Sequence, residues 1–232
     1  MLINCKNARG DLIFMRTIRV TGKGMIKVHP DMTRITITLR GLNRDYAAIL
    51  EQSSKATEAI KDLLVPFGFA RTDLKTLRFG VDTEHESYKE KGEYKQRFIG
   101  YSYAHTLKVE FESDNKLLGQ ILYALAHCSM NPEFRISYTV KDPETMKNEL
   151  LGKAVQDAMA KASVLSGVAG LRLGDIQAVD YSWGEVDFEV RNTNALCCNE
   201  NLACELSPSY DLDIEPDDID VEDTVTVVWE IQ

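Results

Sequence analysis

The chain has 232 residues, of which 44% are hydrophobic and 27% charged, enough apolar content to form a core without covalent staples. No apolar run nears the ~20 residues of a membrane-spanning helix, and the amino end (MLINCKNARGDLIFMRTIRV) lacks the ~7–15-residue apolar stretch of a secretory leader, so a cytoplasmic protein with no membrane span is expected. The net charge of −9 is uneven: residues 184–232 hold one basic residue (Arg191) against 14 acidic, net −13, while residues 1–183 are net +4 without a basic cluster, which excludes nucleic acid as a partner.

Residues 1–15 read as a tail or an upstream extension, with Met15 as an alternative start, and residues 16–232 as a single domain. Residues 16–28 (RTIRVTGKGMIKV) predict a strand in which Gly22 and Gly24 mark bends or bulges. After a His29-Pro30-Asp31 turn, residues 33–40 (TRITITLR) alternate strictly, Ile35, Ile37 and Leu39 on one face, the pattern of a half-buried strand. Asn43 or Asp45 caps a helix whose apolar positions Tyr46, Ile49, Leu50, Ala56, Ile60, Leu63 and Leu64 share one side, and Pro66 and Gly68 end it. Residues 73–83 predict a strand, residues 84–96 a polar hairpin tip, and residues 98–112 (FIGYSYAHTLKVEFE) the returning strand.

Asp114 or Asn115 caps a short helix carrying Leu117, Leu118, Ile121, Leu122 and Leu125, and residues 134–140 form the next strand. The longest helix opens at Asp142 with Pro143 at its first position and Glu144 in its first turn. Along it Leu150, Ala154, Ala158, Ala162 and Leu165 form a stripe whose small side chains permit close packing. A strand at residues 175–183, an aperiodic loop or insertion at about 185–215, and a closing strand at residues 221–231 complete the chain. The expected fold is α+β: an antiparallel-rich sheet with three helices on one face, its strand–helix–strand units open to a reading as a duplication.

These residues carry a resemblance. RTIRVTGKG at 16–24, ITLRG at 37–41, DLKT at 73–76, ISYTVKD at 136–142, KNELLGKAVQDAMAKA at 147–162, LGDI at 173–176, VDYS at 179–182 and the closing IEPDDIDVEDTVTVVWEI resemble the SIMPL domain over residues 16–231. The resemblance implies an α+β fold with long helices. It implies homo-oligomerisation or binding of a protein partner, since a bacterial relative forms a large ring-like assembly, and a link to stress response through periplasmic relatives. It implies no shared enzymatic activity and no catalytic residues. The chain departs from the periplasmic relatives in lacking an export signal, and in a cysteine-bearing segment at residues 185–210.

No constellation of chemistry-bearing residues stands out. His29, His85, His105 and His127 are scattered over turn, hairpin, strand and helix, without the spacing that would bring ligands to one ion. Cys5, Cys128, Cys197, Cys198 and Cys204 are odd in number and two are adjacent, a poor disulfide framework, so reduced thiols are expected. Cys197, Cys198 and Cys204 are the best reactive candidates, and a thiol- or ligand-binding stress protein using them is the alternative reading. Their neighbours Glu200 and Glu205 oppose thiolate formation. Asp211, Asp213, Glu215, Asp217 and Glu222 mimic a calcium loop, but Pro216 stands where glycine is required. Gly22-Lys23-Gly24 lacks the rest of a phosphate-binding loop, and no Ser, His and Asp set has the context of a triad. Tyr94, Phe98, Tyr101 and Tyr103 lie on a hairpin arm and suit an interface as well as a core. The sequence therefore predicts a non-enzymatic protein with no catalytic, cofactor or metal residues, acting through self-association or a protein partner.

Overall fold

The computed structural model describes residues 3–6, 12–90, 92–181, 188–191 and 214–232. The strands are β1 (Ile3–Lys6), β2 (Leu12–Met15), β3 (Thr17–Val28), β4 (Met32–Asn43), β5 (Lys75–Glu90), β6 (Glu93–Glu112), β7 (Glu133–Thr139), β8 (Leu173–Tyr181), β9 (Glu189–Arg191) and β10 (Ile219–Ile231). The helices are α1 (Tyr46–Leu64), α2 (Asn115–Ala126) and α3 (Pro143–Val168). This is the expected α+β composition with three helices, and its strand pairs are antiparallel. β1 and β2 form a small hairpin, and the remaining strands divide into a three-stranded sheet, order β3-β10-β8, and a five-stranded sheet, order β5-β6-β4-β7-β9. Two compact units result: Met1–His29 with Val140–Glu189 and Asp217–Gln232, and Pro30–Thr139 with Val190–Pro216.

In the five-stranded unit the alternation of β4 sends Ile35, Ile37 and Leu39 into the core, level with Val109, Leu107 and His105 of β6. Ile49, Ile60 and Leu64 of α1 and Leu118, Ile121 and Leu125 of α2 join the same cluster. Each helix starts where a carboxylate takes up orphan amides. Asp45 accepts from the Ala48 N–H at 2.8 Å, and Asp114 from those of Lys116 and Leu117 at 2.9 and 3.0 Å. The hydroxyl of Tyr138, on β7, is buried without a hydrogen-bond partner among the described residues.

The three-stranded unit is built on the two ends of the chain, β3 pairing with β10 from Thr17↔Glu230 to Val28↔Ile219. Its helix, α3, is capped by Asp142, which accepts from the Thr145 N–H at 3.1 Å. α3 lays Ala154, Ala158 and Ala162, all fully buried, against Val20, Val225, Val227 and Trp229.

Gly22 and Gly24 are not bends. β3 pairs with β10 through both without a register shift. A Cβ on Gly22 would overlap the Ala154 carbonyl oxygen and come within 2.8 Å of Ala158 Cα, and one on Gly24 would overlap the Leu150 carbonyl oxygen. The glycines leave room for helix backbone to lie on strand backbone, and the alanine stripe completes the fit.

The segment at residues 84–96 also differs from its expected form as a tip. β5 continues to Glu90 and β6 begins at Glu93, so the two strands run together to a tight turn at Gly92 (φ +92°). Strand pairing persists without a buried face because charged and aromatic side chains meet across the ladder.

Candidate functional site

The histidines are engaged separately. His29 Nδ1 lies 3.2 Å from the Asp218 carboxylate, His127 Nδ1 lies 2.8 Å from the Tyr123 carbonyl, and His85 meets Phe98 edge to face with centroids 5.7 Å apart. No group of three or more His, Cys, Asp or Glu among the described residues could hold a metal ion. Cys128 donates its thiol hydrogen to the Leu125 carbonyl at 3.1 Å. Cys197, Cys198, Cys204, Asp211 and Asp213 lie outside the described residues. Of the remaining calcium-like positions, Glu222 sits on β10 and pairs with Lys23 at 2.5 Å. Among the aromatic series Tyr103 is buried, Tyr101 is wedged edge-on between Tyr46 and Phe98, and Tyr94 is 80% exposed.

A polar cluster that spacing did not reveal surrounds His105. Its Nδ1 lies 3.0 Å from Thr57 Oγ1 and 3.4 Å from Ser53 Oγ on α1, and its Nε2 lies 2.9 Å from Thr76 Oγ1 on β5. The Thr57 hydroxyl donates to the Ser53 carbonyl at 2.9 Å, so toward the ring it acts as acceptor and Nδ1 carries the proton. Nε2 then accepts from Thr76. Burial, reinforced by the nearby Lys61 ammonium, holds the imidazole pKa below its ordinary value and keeps the ring neutral. No carboxylate hydrogen-bonds to the ring among the described residues, so the cluster lacks the orienting acid of a hydrolytic triad. Its chemistry is that of a neutral strut joining α1 to β5. On the same sheet Arg40, Leu42, Asp82, Glu84 and Ser102 line a shallow open depression of about 460 Å³, in which the Ser102 hydroxyl donates to Glu84 at 2.7 Å.

The sheet edges are treated unequally. β3 ends its sheet on one side, where bare backbone would invite another strand. α3 occupies part of that edge near its middle: the Lys23 N–H donates to Asp157 Oδ2 at 2.7 Å, and Lys161, ion-paired with Asp157 at 2.7 Å, reaches the Thr21 carbonyl at 3.5 Å. At the other side β8 pairs with β10 alone among the described residues, and its Ile176, Val179 and Tyr181 are 51%, 48% and 42% exposed.

The longest edges belong to the hairpin arm. The last β4–β6 pair is Asn43↔Tyr101, whereas β5 and β6 stay paired out to Glu90↔Glu93. Beyond Gly100 the arm is therefore a two-stranded ribbon whose side chains are exposed on both faces. One face carries Glu86, Tyr88 and Glu90 on β5 opposite Arg97, Lys95 and Glu93 on β6. Arg97 pairs with Glu86 at 2.5 Å and lies 5.9 Å from the Tyr88 ring centroid, and Lys95 pairs with Glu90 at 2.6 Å. The other face sets His85, Ser87 and Lys89 against Phe98, Gln96 and Tyr94, with the Lys89 ammonium 5.8 Å from the Tyr94 centroid.

A family model described as SIMPL, a protein of unknown function (DUF541), matches residues 18–229. The chain belongs to the SIMPL family. Two relatives, each named "26 kDa periplasmic immunogenic protein", come from Brucella melitensis biotype 1 and Brucella abortus strain S19. Each is 26% identical over 160 residues, covering 68% of this chain and 64% of the relative, so the match spans just under two thirds of their length. These relatives overturn the cytoplasmic expectation. That expectation rested on the composition of the amino end and the cysteine count, and neither is a property of the folded SIMPL domain that the chain shares with proteins named periplasmic. No helix among the described residues is long and apolar enough to cross a membrane.

Proposed function

We propose that this SIMPL-family protein acts by assembling with further copies of itself, in the periplasm, and not by catalysing a reaction. The arm carries the reading. It holds paired strands of 16 and 20 residues whose outer halves, among the described residues, present two open edges and no buried face. A two-stranded ribbon is marginal in water on its own, and unpaired edges recruit strands, so such an arm gains stability by pairing with another chain. The β3 edge supports the reading from the other side, because α3 takes up the Lys23 amide and the Thr21 carbonyl there, whereas no such contact from a helix is seen on the arm among the described residues. The neutral, hydroxyl-bound His105 supports a structural role for the most developed polar cluster. The periplasmic placement follows the name of the Brucella relatives.

Sedimentation velocity and multi-angle light scattering of the full chain test the reading. Species heavier than the monomer are expected at micromolar concentration. A strict monomer up to the highest soluble concentration refutes it. The thiol-based alternative involves Cys197, Cys198 and Cys204, and no observation on the described residues favours it.

A further inference from the structure

We propose that the arm is the element through which copies join, head to tail, with β6 of one arm pairing antiparallel with β5 of the arm of the next copy. This rests on the self-assembly reading above and gives it a mechanism. The two strands of the arm carry opposite net charge on one face: Glu86 and Glu90 on β5, and Lys95 and Arg97 against the single Glu93 at the turn end of β6. Within one arm these groups already pair, Glu86 with Arg97 and Glu90 with Lys95. Among the described residues both outward edges are open, since β4 leaves β6 at Tyr101 and β5 ends its sheet.

The pairing of edges follows from the charges. Two β5 edges brought together would set glutamates beside glutamates, and two β6 edges would set Lys95 and Arg97 beside their own kind. Like charges directly across a ladder are destabilising. A β6 edge against a β5 edge places Lys95 and Arg97 between two acidic strands and repeats the register of the arm itself. The opposite face repeats as well. The exposed Tyr94, together with Phe98, comes beside Lys89 and His85 of the next copy, where the first copy already sets Lys89 over Tyr94. Strand direction also fits, because alternating β5 and β6 across successive arms keeps every neighbour antiparallel. A head-to-tail contact uses one edge and regenerates the other, so assembly passes beyond the dimer and stops only where a ring closes.

Charge reversal tests this. E86K/E90K leaves both edges basic, and K95E/R97E leaves both acidic. Each is expected to raise the midpoint concentration of assembly roughly tenfold or more, through two attractive cross-strand pairs made repulsive at every contact. Mixed in equal amounts the two proteins should co-assemble past the dimer. The fourfold swap E86K/E90K/K95E/R97E should assemble as the native chain does, which also separates a charge effect from a damaged arm, because the swap restores every pair within it. Circular dichroism of the fourfold swap should match the native chain, because it restores the pairs within the arm and these side chains lie outside both cores. If the native chain assembles and the reversals leave its size distribution unchanged, or if the mixture stops at a dimer, the head-to-tail arm is wrong and self-assembly stands. A monomeric native chain removes both.

Discussion

Adding one methyl group at Gly22 is the sharpest test of how the three-stranded unit is packed. Its backbone φ lies outside the positive range, so alanine can adopt the local conformation and, in open space, would stabilise by about 0.4–1 kcal/mol through the unfolded chain. The space is not open. The new Cβ meets the carbonyl oxygen of Ala154 and the nitrogen and Cα of Ala158, the last at 2.8 Å, and all three are helix backbone that no rotamer change can move. Either α3 lifts from β3, loosening the fully buried Ala154, Ala158 and Ala162, or β3 is pushed out of register with β10. Overpacking of this kind costs about 1–3 kcal/mol, and the upper end is expected where only backbone can yield. Gly80, on β5, is the control, since a Cβ there has nothing within 4 Å and Gly80→Ala should be neutral or slightly stabilising. Urea unfolding followed by fluorescence, with the buried Trp229 in the affected sheet as a reporter, measures the difference. A Gly22→Ala protein as stable as Gly80→Ala would refute the backbone-on-backbone account. So would rescue by Ala158→Gly, because that change removes a side chain and leaves the colliding atoms in place.

Two further perturbations probe the five-stranded unit. The His105 pKa is depressed by burial and by Lys61, so the unfolded chain binds its proton more readily. The stability it contributes is complete above about pH 6.5 and is lost as pH falls through the lower folded value. Denaturation between pH 5 and 7 should therefore show a steeper acid loss for the native chain than for His105→Gln, and equal slopes would contradict the assignment. Glu110 accepts from Arg34 Nε at 2.6 Å and from Lys108 at 3.0 Å. Burial raises its pKa, and the hydrogen bonds from Lys108 and Arg34 more than reverse that, leaving it depressed. Glu110→Gln should cost about 1 kcal/mol at pH 7, and that cost should fade as pH drops below about 4.3 through the folded value. A cost that stays constant down to pH 3 would show that shape, not charge, is what the site needs.

Much of this fold is legible where one element decides its own form. The alternation of TRITITLR places β4 and its buried face, and Asp45, Asp114 and Asp142 mark three helix starts, because a cap is settled within four residues. Legibility fails where the deciding partner is remote. Gly22 and Gly24 look like bends until α3, more than 120 residues further on, is laid across them. The neutral state of His105 depends on Ser53, Thr57 and Thr76, which only the packing of α1 and the register of β5 bring to one ring. The arm itself is legible, but the run of its strands through residues 84–96 is hidden for a different reason. Period-two alternation reports one wet and one dry face, and a ribbon wet on both faces carries no such signal.

If the chain self-assembles as proposed, the strand edges and not a pocket carry its function. A chain that leaves an edge bare risks aggregation, and here the risk is managed selectively. At β3 an Asp157–Lys161 pair on the helix occupies the outward backbone groups directly. On the arm the charges are placed across the ladder, on the faces of the ribbon, so among the described residues they leave the edge amides and carbonyls unblocked. Charges placed that way do not forbid a new strand; under the proposal they select it, rejecting a like edge and accepting an unlike one. Lys95 and Arg97, paired with Glu90 and Glu86, hold a ribbon together without a core, and in the proposed assembly the same charges specify which edge it pairs with next.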